Sequence, residues 1–156
     1  MHVILEQIIN GLTIGSFYAL IALGYSMVYG VLKLINFAHG DFFTLGSYLG
    51  YTVLVFGAAL LTAHFGLWGA LTAALIFAAV SLALVGLIVE RLAYRPVYPA
   101  GRLPAVVSAL GASIFLQNTI MVGWGPRFQA YPSELIPNVH LQIGGIHLSL
   151  LQILIL

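Results

Sequence analysis

Residues 67–89 read LWGALTAALIFAAVSLALVGLIV and contain no charged side chain. A helix rises about 1.5 Å per residue, so about 20 apolar residues are enough to cross the hydrocarbon core of a bilayer. The run does not alternate polar and apolar residues with a period of two, as a strand of a membrane barrel would. It predicts a membrane-spanning helix, and with it an all-α fold, a polytopic transmembrane helix bundle.

The composition of the whole chain supports this class. Of its 156 residues, 62% are hydrophobic and 6% are charged, whereas a soluble domain carries about 25% charged residues. The formal net charge of +1 and the lack of a basic stripe give no reason to expect nucleic acid as a partner. Cysteine is absent, which excludes disulfides and thiol chemistry. We therefore expect an integral membrane protein whose main surroundings are the lipid bilayer.

The apolar runs on either side of residues 67–89 predict about four full spans and the start of a fifth. The short break at His64-Phe65-Gly66 makes a tight helical hairpin of the second and third spans. The last run is about half a crossing long, so we interpret the chain, residues 1–156, as a single membrane-spanning domain truncated at its carboxyl end. The predicted spans lie near 4–32, 42–63, 67–89, 103–124 and, incomplete, 146–156.

Basic side chains predict the orientation of the spans. Arg91, Arg95 and Arg102 lie in the third connection and Lys33 in the first. Because cytoplasmic loops of membrane proteins are enriched in Lys and Arg, we expect these two connections to be cytoplasmic. The amino terminus is then outside, and residues 125–145 form an external loop with turns.

Small residues four apart predict where the helices pack, since helices in lipid associate through close contacts. Three such rows occur along the predicted spans. They are Gly11, Gly15 and Ala19 in the first span, Gly46 and Gly50 in the second, and Ala70, Ala74 and Ala78 in the third.

Polar side chains inside the spans are mostly Ser and Thr, whose hydroxyls can bond back to their own helix. The amides of Gln117 and Asn118 carry donors and acceptors that a helix backbone does not satisfy. They either bridge helices or line water, and both interpretations stay open.

Residues 36–41 read NFAHGD and form a polar insertion between two apolar runs. His39 and Asp41 are potential proton carriers or metal ligands, but one His and one Asp two positions apart do not make a three-ligand or four-ligand site. We therefore expect no metal and no catalytic residue. Asn36 and Asp41 are instead predicted to cap a helix that begins near Phe42, with Gly40 supplying a permissive backbone. Asn36, His39, Gly40 and Asp41 are thus candidates for a helix break, and the segment either turns the chain or lines a transport pathway.

Three sequence motifs of enzymes are missing from the chain. It contains no phosphate-binding G-x-x-x-x-G-K-[ST] loop, no G-x-S-x-G and no H-E-x-x-H. We expect no enzyme activity and no cofactor in this chain, and energy for any transport would come from a partner or from a gradient.

Several blocks resemble one family in the same order along the chain. They are NG at 10–11, GSFYALIALG at 15–24, YG at 29–30, INFAHGD at 35–41, ERLAYRP at 90–96, LGASI at 110–114, LQN at 116–118 and WG at 124–125. Together they resemble the amino-terminal half of the LivH-type permeases, the membrane subunits of branched-chain amino acid ABC importers. Family members are about twice as long, and the later cytoplasmic loop that docks the ATPase is not among these residues.

The resemblance implies a multi-pass permease subunit in the bacterial cytoplasmic (inner) membrane that provides the pathway for branched-chain, hydrophobic amino acids. Its implied partners are a second permease subunit, two ATP-binding cassette subunits that bind ATP and Mg²⁺, and an external substrate-binding protein. Related permeases carry urea or short amides, and nothing in these residues separates those substrates. Two other interpretations stay open, namely a proton-coupled carrier using His39 and Asp41 and a non-transporting fragment or scaffold.

Overall fold

The computed structural model describes residues 2–127, 129–131, 140–143 and 146–149. These residues are predominantly helical, as the composition predicts. The elements in chain order are α1 (His2–Leu32), α2 (His39–Val89), a π-helix (Glu90–Tyr94), a 3-10 helix (Tyr98–Ala100), α3 (Arg102–Trp124), β1 (His140–Ile143) and β2 (Ile146–Ser149).

The chain divides into two compact units. One consists of the described residues before Tyr25 together with those after Tyr131, and the other is Tyr25–Tyr131. The second unit contains all of the candidate residues between Asn36 and Asn118.

The first helix ends where Lys33 adopts a left-handed backbone conformation with φ of 56°, a common way to end a helix. Every side chain described between Ile4 and Val31 is half-buried or exposed. No described atom lies within 4 Å of a Cβ built on Gly11 or Gly15, and Ala19 is exposed. The helix contact along this row stays a prediction.

The backbone of α2 breaks at Gly66, inside the predicted His64-Phe65-Gly66 turn. Gly66 has φ of 67° and ψ of −179°, a region that is essentially restricted to glycine. We call residues 39–65 the first arm of α2 and residues 67–89 its second arm. Gly46 on the first arm faces Leu82 on the second, so the two arms run back along each other as a helical hairpin.

Replacing Gly66 by alanine is expected to destabilise the hairpin. A Cβ at this φ and ψ costs about 1–3 kcal/mol of backbone strain, so the apparent melting temperature of the full-length protein should fall. Gly86→Ala is the matched control, because Gly86 is helical and no described atom lies within 4 Å of an added Cβ. Thermal unfolding in detergent measures both, and a Gly66→Ala protein as stable as the Gly86→Ala protein would contradict the prediction.

The close approach of the two arms depends on Gly46. A Cβ on Gly46 would lie 2.6 Å from Leu82 Cδ1 and 3.5 Å from Leu82 Cγ. Gly46 therefore lies where the first arm approaches Leu82 of the second arm. At Gly50 an added Cβ would lie 3.8 Å from the Tyr131 hydroxyl, which makes Gly50 a contact with the segment after α3 rather than with a helix. In the third row, Ala70 and Ala74 are buried and Ala78 is half-buried.

Beyond Val89 the chain stays helical as a π-helix, so the third predicted span extends five residues further, to Tyr94. The backbone N–H of Arg95 donates to the carbonyl of Glu90 at 2.7 Å. The Ser108 hydroxyl donates to the carbonyl of Ala93 at 2.5 Å, which ties the π-helix to the first turns of α3. π-helical turns disturb the regular hydrogen-bond ladder and occur frequently at functional sites.

Helix α3 presents one face of mostly small buried residues. They recur every three or four positions and so share a face; they are Ala105, Ala109, Ala112, Ser113, Leu116 and Ile120. Three of them join a core cluster with the start of α2 and the end of its second arm, namely Ala38, Leu45, Val89, Ala112, Leu116 and Ile120. Small side chains let the helix backbones approach closely. The core of this unit is thus built where α3 meets both arms.

Three stretches of the described residues are long and apolar enough to cross a membrane, namely Ile4–Val31, Leu60–Tyr94 and Arg102–Trp124. They correspond to the first, third and fourth predicted spans, and α3 begins and ends within one residue of the prediction. The second predicted span, 42–63, is helical throughout as part of α2, and its crossing of the bilayer stays a prediction.

The fifth predicted span is wrong for residues 146–149. Ile146–Ser149 forms a strand that pairs antiparallel with His140–Ile143, with Ile143 opposite Ile146 and His140 opposite Ser149. The segments HLQI and IHLS alternate apolar and polar residues and are separated in sequence by Gly144-Gly145, a pattern typical of a hairpin. Residues 150–156 lie outside the described residues.

Candidate functional site

A polar network links the start of α2 to the middle of α3. The Ser113 hydroxyl donates to Asp41 Oδ2 at 2.5 Å, and Gln117 Nε2 donates to Asp41 Oδ1 at 3.0 Å. Gln117 Nε2 also lies 3.2 Å from Ser113 Oγ. Hydrogen bonds to an ionised carboxylate are about twice as strong as those between neutral groups. Two mostly apolar helices are therefore joined by the polar side chains of Asp41, Ser113 and Gln117.

Helical spacing brings these three side chains together. Ser113 and Gln117 are four residues apart, so both lie on the same face of α3. Asp41 is on the face of α2 that also carries Leu45, Tyr48 and Thr52, and Trp124 Nε1 donates to Thr52 Oγ1 at 2.7 Å. Because Asp41 meets Ser113 and Thr52 meets Trp124, α3 runs parallel to the first arm, with polar contacts at both ends of the contact zone.

A second polar contact joins the connection before α2 to the π-helix. The Tyr94 hydroxyl donates to Asn36 Oδ1 at 2.7 Å, and the same oxygen accepts the backbone N–H of Ala38 at 3.1 Å. A cavity of about 20 Å³ lies beside this pair, which is room for about one water molecule. Its lining residues are Leu34, Ile35, Asn36, Tyr94, Tyr98, Ala105 and Ala109. The first and third connections thus lie at the same end of this unit, as the prediction that both are cytoplasmic requires.

The capping prediction for Asn36 and Asp41 is wrong in its details. Helix α2 begins at His39 rather than near Phe42, and its N-cap Ala38 makes no side-chain capping bond. Asn36 bonds to the backbone one position before the helix, whereas the carboxylate of Asp41 turns to Ser113 and Gln117. A charged bond across two helices takes the place of a local cap.

His39 and Gly40 lie against the end of α1. The His39 ring packs edge-on against the Tyr25 ring with centroids 4.9 Å apart, and a Cβ built on Gly40 would lie 3.7 Å from the Tyr25 hydroxyl. Tyr25 also donates a long hydrogen bond of 3.4 Å to the carbonyl of Phe37. Both residues lie in the first turn of α2 and pack against Tyr25 near the end of α1.

The two predicted amides behave differently. Gln117 bridges helices, which is one of the two roles expected for it. Asn118 Nδ2 donates to the carbonyl of Ile114 at 2.7 Å on its own helix, so this amide makes a local bond of the kind expected for the hydroxyls.

Two members of these contacts, Ser113 and Tyr94, are not among the candidate site residues that the sequence predicts. Ser113 is one of the hydroxyls inside the spans that can bond back to their own helix. It lies four residues before Gln117, and this spacing places the two polar groups on one face of α3. Tyr94 belongs to the ERLAYRP block. Among the described residues no group of three or more His, Cys, Asp and Glu could hold a metal ion.

Removing the Tyr94 hydroxyl is expected to weaken the contact at Asn36. Tyr94→Phe leaves the ring in place and deletes one hydrogen bond, which should lower the free energy of unfolding by about 0.5–1.5 kcal/mol. Tyr29→Phe is the control, because Tyr29 is an exposed tyrosine on α1. Denaturant titration of the full-length protein measures both variants, and equal midpoints would contradict the prediction.

The fold and this network define a class of protein. A multi-pass helical membrane protein that keeps a carboxylate, a hydroxyl and an amide between two apolar helices is typical of membrane transport proteins, in which such residues mark substrate pathways.

Comparison with known proteins identifies the family. Residues 7–155 match the model of the branched-chain amino acid transport system permease component family. The permease protein BraD of the high-affinity branched-chain amino acid transport system of Pseudomonas aeruginosa is 40% identical, over 97% of this chain and 50% of the relative. The corresponding LivH proteins of Salmonella typhimurium and Escherichia coli are 44% and 45% identical, over 83% of this chain and 41% of each relative. No solved structure matches the chain.

The chain belongs to the branched-chain amino acid transport system permease family. It is a multi-pass protein of the bacterial inner membrane, and its family is one of transport permeases rather than enzymes. The chain spans about half the length of the curated relatives it matches.

Proposed function

We propose that this chain forms part of the translocation pathway of an ABC importer for branched-chain, hydrophobic amino acids. The observation that supports the proposal most directly is the network of Asp41, Ser113 and Gln117 between two apolar helices of a transport permease. A carboxylate in such a position is expensive in lipid, and it is retained where a pathway or a moving contact needs it.

We call Asp41, Ser113 and Gln117 the polar brace, because their hydrogen bonds would hold α3 against the first arm of α2 in one state of the transporter and break in another. In the structure Asp41 accepts bonds from Ser113 and Gln117, and we assign this arrangement to the closed pathway. Separation of α3 from the first arm would expose the same three groups to water, which replaces the lost bonds. An apolar contact has no such replacement, so the polar brace allows two arrangements that differ by little free energy, as a transport cycle requires.

Asn36 and Tyr94 would have a positioning role at the predicted cytoplasmic end. Their bond joins the first connection to the π-helix, next to the predicted cytoplasmic arginines Arg91 and Arg95. A displacement of the third connection by a partner subunit would therefore be passed to the start of α2, and from there to Asp41. His39 and Gly40, in the first turn of α2, would provide the contact with Tyr25 about which the start of α2 moves.

Energy would come from partner subunits. This chain has no phosphate-binding loop of the G-x-x-x-x-G-K-[ST] type. We propose that two ATP-binding cassette subunits bind ATP and Mg²⁺, that a second permease subunit completes the pathway, and that an external binding protein delivers the amino acid.

Reconstitution tests this function. The full-length permease, its second permease subunit and the two ATPase subunits are placed in proteoliposomes with ATP inside, and the binding protein with radiolabelled leucine is added outside. Uptake is expected only when ATP and the binding protein are both present, and a protonophore should leave it unchanged. Uptake without ATP or without the binding protein would refute the importer, and uptake that the protonophore abolishes at constant ATP would indicate a proton-coupled carrier.

A further inference from the structure

The second unit contains a pocket lined largely by tyrosines at the end of α3. The pocket has a volume of about 130 Å³ and is lined by Ser47, Tyr48, Tyr51, Gln129 and Tyr131. It lies on the first arm of α2 beyond Asp41, ten residues along the helix at Tyr51, or about 15 Å at 1.5 Å per residue. The polar brace does not include any of these side chains.

The Tyr51 and Tyr131 rings meet nearly at a right angle and form an aromatic corner in this tyrosine pocket. The Tyr51 and Tyr131 rings have centroids 5.7 Å apart and planes at 77°. The Tyr48 ring packs against Trp124, with centroids 5.4 Å apart and planes at 42°. The pocket thus offers ring faces rather than a flat aliphatic surface.

Hydrogen bonds hold the rings in place. The Tyr51 hydroxyl donates to Gln129 Oε1 at 3.1 Å, and the Tyr131 hydroxyl donates to the carbonyl of Ser47 at 2.9 Å. Burial raises the pKa of Tyr131, and a phenol is protonated at neutral pH even without such a shift. The Tyr131 hydroxyl lies beside Gly50, 3.8 Å from where a Cβ on that residue would be. A pocket held in its binding geometry loses less free energy when a ligand orders it.

The chemistry of the lining selects a ligand class. No lining side chain is charged, so a net anion finds no counter-charge there. The aromatic faces attract an ammonium group through cation–π interaction and also contact aliphatic groups. The Tyr51 and Tyr131 hydroxyls already donate to Gln129 Oε1 and the Ser47 carbonyl, so the phenol oxygens can accept from an ammonium group. The Gln129 Nε2 group has a second N–H beyond its long bond to the Trp124 carbonyl, and this N–H can donate to a carboxylate.

We infer that the tyrosine pocket binds the ammonium group and side chain of a zwitterionic aliphatic amino acid. This inference rests on the proposed function, since it adds a substrate-binding site on the permease that is separate from the network of Asp41, Ser113 and Gln117. The ammonium group lies over the rings, and the aliphatic side chain fills the aromatic corner.

A measurement of leucine binding tests this inference without requiring transport. The assembled transporter with the full-length permease is placed in lipid nanodiscs, without ATP and without the binding protein, and radiolabelled leucine is titrated. Isopentylamine, which lacks the carboxylate, and 4-methylpentanoate, which lacks the ammonium group, are added as competitors. We expect saturable leucine binding that isopentylamine displaces and 4-methylpentanoate displaces poorly.

Substitutions locate the site. Tyr51→Leu removes a ring face and should weaken leucine binding about tenfold, within the range of a desolvated cation–π contact. Tyr131→Leu is expected to act similarly. Tyr51→Phe keeps the ring and should bind within about threefold of the parent, which also shows that the helix tolerates substitution at this position. Tyr29→Leu, on α1 outside the pocket, is the matched control.

Three results would overturn the inference. The first is no binding of leucine by the parent transporter at leucine concentrations up to about 10 mM. The second is binding that Tyr51→Leu and Tyr131→Leu leave unchanged, and the third is displacement of leucine by 4-methylpentanoate but not by isopentylamine.

The uptake assay distinguishes failure of this inference from failure of the proposed function. If the parent transporter imports leucine with ATP but fails these binding tests, the pocket inference is refuted and the proposed function stands. If the parent transporter does not import leucine, the proposed function is refuted.

Discussion

Replacing Asp41 by alanine is expected to destabilise the full-length permease by about 1–3 kcal/mol, because the buried Ser113 hydroxyl and the Gln117 amide lose their shared acceptor. Neutral hydrogen bonds between membrane helices average about 0.6 kcal/mol. The larger loss depends on the charge of the carboxylate, and Asp41→Asn should therefore fall between the parent and Asp41→Ala. Thermal unfolding in detergent gives the order of the three proteins.

A double-mutant cycle isolates the bond between Asp41 and Ser113. If the two groups interact, Ser113→Ala should cost much less in the Asp41→Ala background than in the parent, with a coupling of about 0.5–3 kcal/mol. Thr119→Ala is the matched control, because this hydroxyl on α3 donates to the carbonyl of Phe115 on its own helix. Additive effects of Asp41→Ala and Ser113→Ala would show that the brace does not act as a unit.

Replacing Gly46 by leucine is expected to separate the two arms of α2. The added Cβ alone would lie 2.6 Å from Leu82 Cδ1. Alanine can be accommodated if the end of the Leu82 side chain rotates, but the branched leucine side chain has no such space. Overpacking of this kind costs about 1–3 kcal/mol, and it should lower both the melting temperature and the yield of folded protein.

A second substitution tests the steric cause. Leu82→Ala removes the atoms that the new side chain meets, so the double variant Gly46→Leu, Leu82→Ala should be more stable than Gly46→Leu alone. Gly86→Leu, at a helical glycine with no described atom within 4 Å of an added Cβ, should be tolerated in detergent. A double variant no more stable than Gly46→Leu alone would mean that the destabilisation comes from another contact.

The helices and their breaks follow from local chemistry and were predictable. Apolar runs long enough to cross a bilayer predicted α1, the second arm and α3, and glycine at position 66 predicted the turn between the arms. The strand at Ile146–Ser149 differs from the predicted span, because the apolar run over 146–156 favours a helix by length and hydropathy whereas IHLS alternates apolar and polar residues. Hydropathy measures only the average of a window, whereas a strand depends on which residues alternate.

The hydrogen-bond partners of the polar side chains were less predictable, because such a side chain can bond either to its own helix backbone or to a neighbouring helix. Asn118 bonds to its own helix, whereas Gln117, one residue before it, reaches Asp41. One position along a helix turns a side chain by about 100°, and only the packing of α3 against α2 decides which of the two faces a partner.

For the NFAHGD segment, the sequence by itself determined a polar break between two apolar runs. Glycine and asparagine there disfavour a continuous helix, and polar groups avoid lipid. The tertiary structure decided what each residue bonds to. Asn36 accepts from Tyr94, 58 positions later, and Asp41 accepts from Ser113, 72 positions later. Contacts at such separations depend on the packing of whole helices, which no local pattern contains.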